Sequence, residues 1–347
     1  ECQELVTARA QCLGRAQSFF VDGGMDVSAQ SGIGDPDEPP RLHKPHARRR
    51  VCGPQQAEQR VFGYFGVGDE AAHIASLGDH PVDRASLRRA ERVLGHAGHS
   101  RWHHRGVTRD QVLISATELE QRCADDVPTT VLDVRWQLTE PDGRAAYESG
   151  HIPGAVYVSL EDELSDHAVG GRGRHPLPSG RDVQAAARRW GISDGVPVVV
   201  YDDWNRAGSA RAWWVLRAAG IADVRILDGG LAAWRGPLET GAVTPKSGDV
   251  TVKYDDLYGG ALPVLTAEQA TATKVTLLDA RAPERFRGDV EPIDPVAGHI
   301  PGARNVPSTS LLDADGRFMS DVPELTGALG AYCGSGVTAS VLIAALA

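Results

Sequence analysis

Short aliphatic runs punctuate the chain from Val112 onward, and each is followed by a stretch of helical periodicity. Thr130-Val-Leu-Asp-Val134, Ala155-Val-Tyr-Val158, Val196-Pro-Val-Val-Val-Tyr201 and Val224-Arg-Ile-Leu227 predict buried strands, since they are apolar toward both faces. Ser209–Ala219 predicts a helix stopped at Gly220. Trp213, Trp214 and Trp234 belong with the core. Strands alternating with helices predict an α/β fold, with mainly parallel sheets flanked by helices.

Residues 1–108 break this pattern. Gly34-Asp-Pro-Asp-Glu-Pro-Pro40 is turn material, Arg48-Arg49-Arg50 follows, and only Asp83–Val93 suggests a short helix. The histidines here (His43, His46, His73, His80, His96, His99, His103 and His104) lack cysteines or carboxylates at ligand spacing, so no metal site is expected. We expect a largely irregular extension of unknown role, or sequence outside the functional gene product.

Composition narrows the function classes. At 347 residues the chain has room for about two ordinary domains. A formal charge of −10 argues against a nucleic-acid partner. No apolar run approaches membrane-spanning length and no secretory signal is visible, so a cytoplasmic location is expected. The five cysteines, Cys2, Cys12, Cys52, Cys123 and Cys333, are irregularly spaced, as expected of reduced thiols.

An internal repeat organises the chain. Leu132-Asp-Val-Arg135 recurs as Leu278-Asp-Ala-Arg281, and Gly150-His-Ile-Pro-Gly-Ala155 recurs as Gly298-His-Ile-Pro-Gly-Ala303. The separations, 146 and 148 residues, keep both motifs in register. The expected domains are 110–236 and 263–347, joined by a Pro- and Gly-rich linker over 237–262. His151 and His299 are read as structural, each tying its loop to nearby backbone.

Candidate chemistry centres on Ala331-Tyr-Cys-Gly-Ser-Gly-Val-Thr-Ala-Ser340. Cys333 follows a short apolar run and precedes a helical pattern, so the loop is expected between a strand end and a helix N-terminus. Backbone N–H groups and the helix dipole there favour a thiolate or an anionic persulfide, lowering the thiol pKa. Gly334 and Gly336 permit the tight curl. The first repeat has Tyr201-Asp202 at the corresponding place.

With the paired Gly-His-Ile-Pro-Gly segments, Asp228-Gly-Gly-Leu231 and the Cys333–Thr338 loop, residues 110–347 resemble the rhodanese family in its tandem-domain form, the thiosulfate and 3-mercaptopyruvate sulfurtransferases. The resemblance implies a non-catalytic first domain and a catalytic second one. It implies that the Cys333 thiolate takes sulfur from a small-molecule donor and passes it to a thiol, cyanide or thioredoxin-like acceptor, with no cofactor and no metal. Ser335 is the implied proton relay. Gly334, Gly336, Val337 and Thr338 form the implied cradle, and Arg285 the implied clamp for the donor's anionic group. Cys-Gly-Ser is similar to the mercaptopyruvate type. Two departures keep both donors open: Asp294 stands where a second substrate arginine is expected, and Glu161 replaces the relay aspartate typical of mercaptopyruvate enzymes.

Measured against the first repeat, the second is short. Asp182 precedes Asp202 by 20 residues, while Asp321 precedes Cys333 by only 12. No counterpart of Val224–Trp234 follows the second loop. We therefore expect a destabilised catalytic domain that lacks one strand and most of another, and the alternative function is that of a catalytically impaired pseudoenzyme or a sulfur carrier or binding protein. A phosphatase is disfavoured because Ala339 occupies the place of the phosphate-clamping arginine of a Cys-x5-Arg loop.

Overall fold

The aliphatic runs pair into two five-stranded sheets. The computed structural model describes residues 60–67 by their backbone, and 108–347 apart from 171, 267–269, 271–274, 295, 322–324 and 326. In chain order the elements are β1 Arg60–Val67, α1 Arg109–Val112, β2 Leu113–Ile114, α2 Ala116–Ala124, β3 Thr130–Asp133, α3 Arg144–Ser149, β4 Val156–Tyr157, α4 Leu160–Glu163, α5 Gly180–Arg189, β5 Val198–Tyr201, α6 Ala207–Ala218, β6 Val224–Leu227 and α7 Gly230–Ala233. After these come β7 Val264–Thr266, β8 Thr276–Asp279, α8 Pro283–Arg287, β9 Arg304–Asn305, β10 Gly327–Tyr332 and α9 Val337–Leu346.

The first sheet has the order β2-β6-β5-β3-β4, parallel throughout. β5 is buried along its whole length, as an apolar run at a sheet centre must be. Ser115 and Ser179 start α2 and α5, their hydroxyls accepting from Glu118 N and Asp182 N. α6 lies against β3 so closely that a Cβ on Gly208 would collide with the Val134 carbonyl oxygen. Trp213 and Trp214 are buried, whereas Trp234 is only partly buried at the edge of a smaller cluster.

The second sheet reads β7-β1-β10-β8-β9, and β8 pairs in parallel with both β9 and β10. Two expectations need correction here. β10 spans six residues, so the strand feeding Cys333 is present despite the short interval before it. In addition, residues 60–67, expected within an irregular extension, form β1. It lies between β10 and β7, antiparallel to both, in the place that β6 takes in the first sheet. An added strand satisfies edge N–H and C=O groups in either direction, so this reversed strand covers the edge of β10 as β6 covers that of β5. The histidine cluster, the helix suggested at 83–93, and Cys2, Cys12 and Cys52 lie outside the described residues.

The repeated Asp-x-Arg and Gly-His-Ile-Pro-Gly motifs meet in one network per repeat. At the end of β3, Asp133 accepts from Arg135 Nε and Nη2 (3.0 and 2.9 Å), and Arg135 Nη2 also donates to Gly150 O at 2.5 Å. At the end of β8, Arg281 Nη2 donates to Asp279 at 2.7 Å and to Gly298 O at 2.5 Å. Tyr201 and Tyr332, closing β5 and β10, bond to these aspartates, and their hydroxyl oxygens accept from Ile152 N and Ile300 N at 3.1 Å. His151 and His299 bond through Nδ1 to the carbonyls of Tyr147 and Phe286.

The two repeats share one buried apolar cluster. α6 packs on α9, and both helices are buried on nearly every side. Asp228 accepts from Phe318 N at 2.8 Å, and Arg109 joins Asp228 to the Phe318 and Met319 carbonyls. Among the described residues no helix is long and apolar enough to cross a membrane.

Asp279 is fully buried and Arg281 nearly so. Asp279→Ala strands a buried guanidinium, and we expect a loss of about 3–5 kcal/mol in stability, read by urea denaturation.

Candidate active site

The end of β10 delivers Cys333 to a curl at the head of α9. Gly336, at φ 83°, takes the left-handed conformation that glycine adopts without a Cβ penalty, and it caps α9. This turn points its N–H at the thiol: Gly336 N donates to Cys333 Sγ at 3.0 Å. Ser340 Oγ holds the Gly336 carbonyl from the other side at 3.0 Å. Ser335, Gly336 and Val337 are buried, and Cys333, Gly334 and Thr338 are partly open. The positive end of an apolar, buried helix thus faces a partly accessible sulfur, a setting that favours an anion there.

The first repeat builds the same turn and fills it. Asp202 Oδ1 accepts from Trp204 N and Arg206 N, and Oδ2 accepts from Ser209 N and Oγ. Arg206 pairs with the same carboxylate at 3.0 Å and caps α6 at φ 63°. A fixed carboxylate with its own cation occupies the seat that Cys333 has in the second loop.

Above Cys333, the wall comes from the first domain. A Cβ on Gly173 would stand 3.9 Å from Ser335 Cα, and a Cβ on Gly334 would stand 2.9 Å from Arg174 Nη2. Arg211, fully buried in α6, fixes this wall by donating to the carbonyls of Leu164, His175 and Pro176. Burial pushes Arg211 down to about 10, opposed by Tyr258, Cys333 and Glu161.

Arg285, from α8, reaches this loop indirectly. Its Nε and Nη2 bind Glu291, and Nη2 also binds Asp294 at 2.6 Å. Asp294 in turn contacts Arg174. The Cys333 loop, Arg285 and Asp294 are thus brought together. Glu161 lies elsewhere in the same wall: it accepts from Trp136 Nε1 at 2.6 Å and His175 Nε2 at 3.0 Å, and pairs with His167. Burial pushes Glu161 up, but its bonds to His175 and Trp136 outweigh this and hold it below the usual carboxylate range. For His175 burial wins over Glu161, and its pKa is lowered. With Nε2 engaged by Glu161, His175 Nδ1 is buried without a hydrogen-bond partner.

Sequence reasoning missed Arg174, His175 and Arg211. A signal existed for the last: Arg211 is a cation set beside Trp213 and Trp214 in the apolar part of a helical run. Arg174 and His175 sit in turn-rich sequence, where spacing carries little information. Among the described residues no group of three or more metal-ligating side chains is placed to hold a metal ion.

A helix-capped cysteine loop on one half of a duplicated α/β frame defines the class of fold and site. The chain belongs to the family with the rhodanese-like domain, whose model matches residues 115–236 and 264–347. It is 64% identical over 252 residues to a Mycobacterium tuberculosis protein provisionally named thiosulfate sulfurtransferase SseB, covering 69% of this chain and 89% of that one. It is 34% identical over 241 residues to the 3-mercaptopyruvate sulfurtransferase of Escherichia coli K12, covering 64% and 84%. The crystal structure of SseA from Escherichia coli, a 3-mercaptopyruvate sulfotransferase of "Rhodanese" fold, matches with a TM-score of 0.54 at 30% identity, covering 67% of this chain and 92% of that chain.

Gly336→Ala forces a Cβ into the left-handed region. We expect about 1–2 kcal/mol of lost stability and slower alkylation of Cys333 by iodoacetamide, because the N–H no longer points at Sγ.

Proposed function

We propose that this chain is a sulfurtransferase that moves sulfane sulfur from 3-mercaptopyruvate or thiosulfate to a thiophilic acceptor through a persulfide on Cys333. The observation that carries this reading is the Gly336 N–H on Cys333 Sγ at the head of α9, beneath the arginines of the wall. Residues 263–347 form the catalytic domain and 110–236 the non-catalytic one, since Asp202 is no sulfur nucleophile and is already saturated with donors. The linker is 237–262. The acceptor is a thiol, cyanide or a thioredoxin-like protein, and the setting is the cytoplasm, where the free thiols of Cys123 and Cys333 stay reduced.

With 3-mercaptopyruvate, Cys333 loses its proton to the relay and attacks the donor sulfur. The S–S bond forms as the C–S bond breaks, and the proton returns to the enolate carbon, giving persulfide and pyruvate. An acceptor thiolate then takes the outer sulfur and restores Cys333. Loop N–H groups, freed by Gly334 and Gly336, stabilise the persulfide, and Val337 and Thr338 set the start of the helix behind it. Ser335 carries the proton. We assign His175 as the base beyond Ser335: Glu161 fixes its Nε2–H, so that the buried Nδ1 presents its lone pair. Arg285 and Arg174 receive the donor's anionic end.

Cys333→Ser is expected to abolish persulfide formation, seen by mass spectrometry, and turnover with both donors; retained turnover would overturn the assignment. His175→Ala should lower kcat with 3-mercaptopyruvate about 10²-fold, and much less with thiosulfate, whose sulfite leaving group needs no proton on carbon. His175 accepts protons only when neutral, and burial lowers its pKa. The acid limb of the rate profile therefore lies below the ordinary histidine range. Glu161→Gln removes the group that raises it, so the limb moves to still lower pH as kcat falls.

A further inference from the structure

The loop below the wall carries a lid of opposite charge. A Cβ on Gly334 would stand 2.6 Å from Asp294 Oδ2, closer than to either terminal nitrogen of Arg174. That carboxylate bridges the two domains: one oxygen contacts Arg174 of the first, and the other accepts from Arg285 of the second at 2.6 Å. Arg285 is further committed to Glu291, which also receives Arg281 at 3.3 Å, and Arg281 is paired with Asp279. Beside Gly334, two guanidinium groups, Arg174 and Arg285, thus face two carboxylates, Asp294 and Glu291, and this cluster is balanced in charge. Asp294 is the member of this set placed directly over Gly334, and its side chain is about one-fifth exposed, so it has a route outward to water.

We propose that Asp294 is a specificity-determining residue, a tethered carboxylate that occupies the donor's anion seat between Arg174 and Arg285 and must be displaced for a donor to bind. This rests on the sulfurtransferase reading and names its donor class. A monocarboxylate exchanges for Asp294 at constant charge and similar shape. Thiosulfate, a dianion, brings one uncompensated negative charge into a balanced site. The carboxylate thus selects α-keto monocarboxylate thiols over thiosulfate.

Asp294→Asn keeps the shape and removes the charge. KM should fall for 3-mercaptopyruvate by about tenfold and for thiosulfate by about a hundredfold, because the repulsion removed scales with donor charge; kcat should change little. Binding is measured separately by calorimetry, titrating thiosulfate and pyruvate into Cys333→Ser protein with and without Asp294→Asn. Tighter binding of both, larger for thiosulfate, supports the proposal. Equal or weaker binding in a variant with an unchanged melting temperature overturns it. If Asp294→Asn fails to fold, Arg174→Gln provides the second arm: the proposal requires weaker pyruvate binding, and unchanged binding overturns it. Tighter binding with no sulfur transfer from either donor would sink the sulfurtransferase reading and leave the Asp294 assignment standing. Turnover with unchanged binding would do the reverse.

Discussion

The buried Asp279–Arg281 pair is the interaction on which the second repeat depends. A carboxylate and a guanidinium removed from water cost several kcal/mol each unless every lone pair and proton is answered. Here they are answered by backbone that must therefore stay in place. Arg281 reaches the Gly298 carbonyl, Asp279 meets Tyr332, and Tyr332 accepts from Ile300 N. Tyr332 immediately precedes Cys333, so the pair fixes where β10 ends and where the sulfur emerges. The Gly-His-Ile-Pro-Gly segment, far from the thiol in sequence, acts on it through this chain of bonds.

The same network around Asp133 and Arg135 ends at Tyr201 and delivers Asp202. Identical scaffolding thus presents two different side chains to two similar turns. A carboxylate draws in four hydrogen bonds and a guanidinium and becomes a fixed structural anion. A thiol, a weaker acceptor, keeps a single N–H at 3.0 Å and remains partly accessible. The difference between a filled turn and an open one lies in how completely the side chain satisfies the loop.

Much of this was legible in the sequence because it rests on local pattern. Aliphatic runs marked β3, β5 and β6, Gly336 and Cys333 marked the curl, and the repeat marked the duplication. β1 was not legible: residues 60–67 lack a repeat partner, and their pairing with β10 is a long-range event that local periodicity does not encode. The shortened interval before Cys333 misled for a related reason, since counting residues cannot tell which element absorbs a deletion; the strand was kept. Arg174 and His175 escaped because their positions come from Arg211 holding the carbonyls of Leu164, His175 and Pro176, a tertiary constraint.

That constraint explains what the first domain contributes. Its own loop offers no sulfur nucleophile, yet its wall brings Arg174 against the Gly334 position of the neighbouring loop, with the buried Arg211 holding that wall in place. A single rhodanese-like unit would present Cys333 on an open surface, where water screens the helix dipole and an arginine has no fixed direction. Packing α6 against α9 instead places the thiol in a partly closed cleft between domains, where charges act at lower effective dielectric. In the proposed mechanism the first repeat is thus part of the site: one repeat supplies Cys333, and the other supplies the electrostatic surroundings of its sulfur.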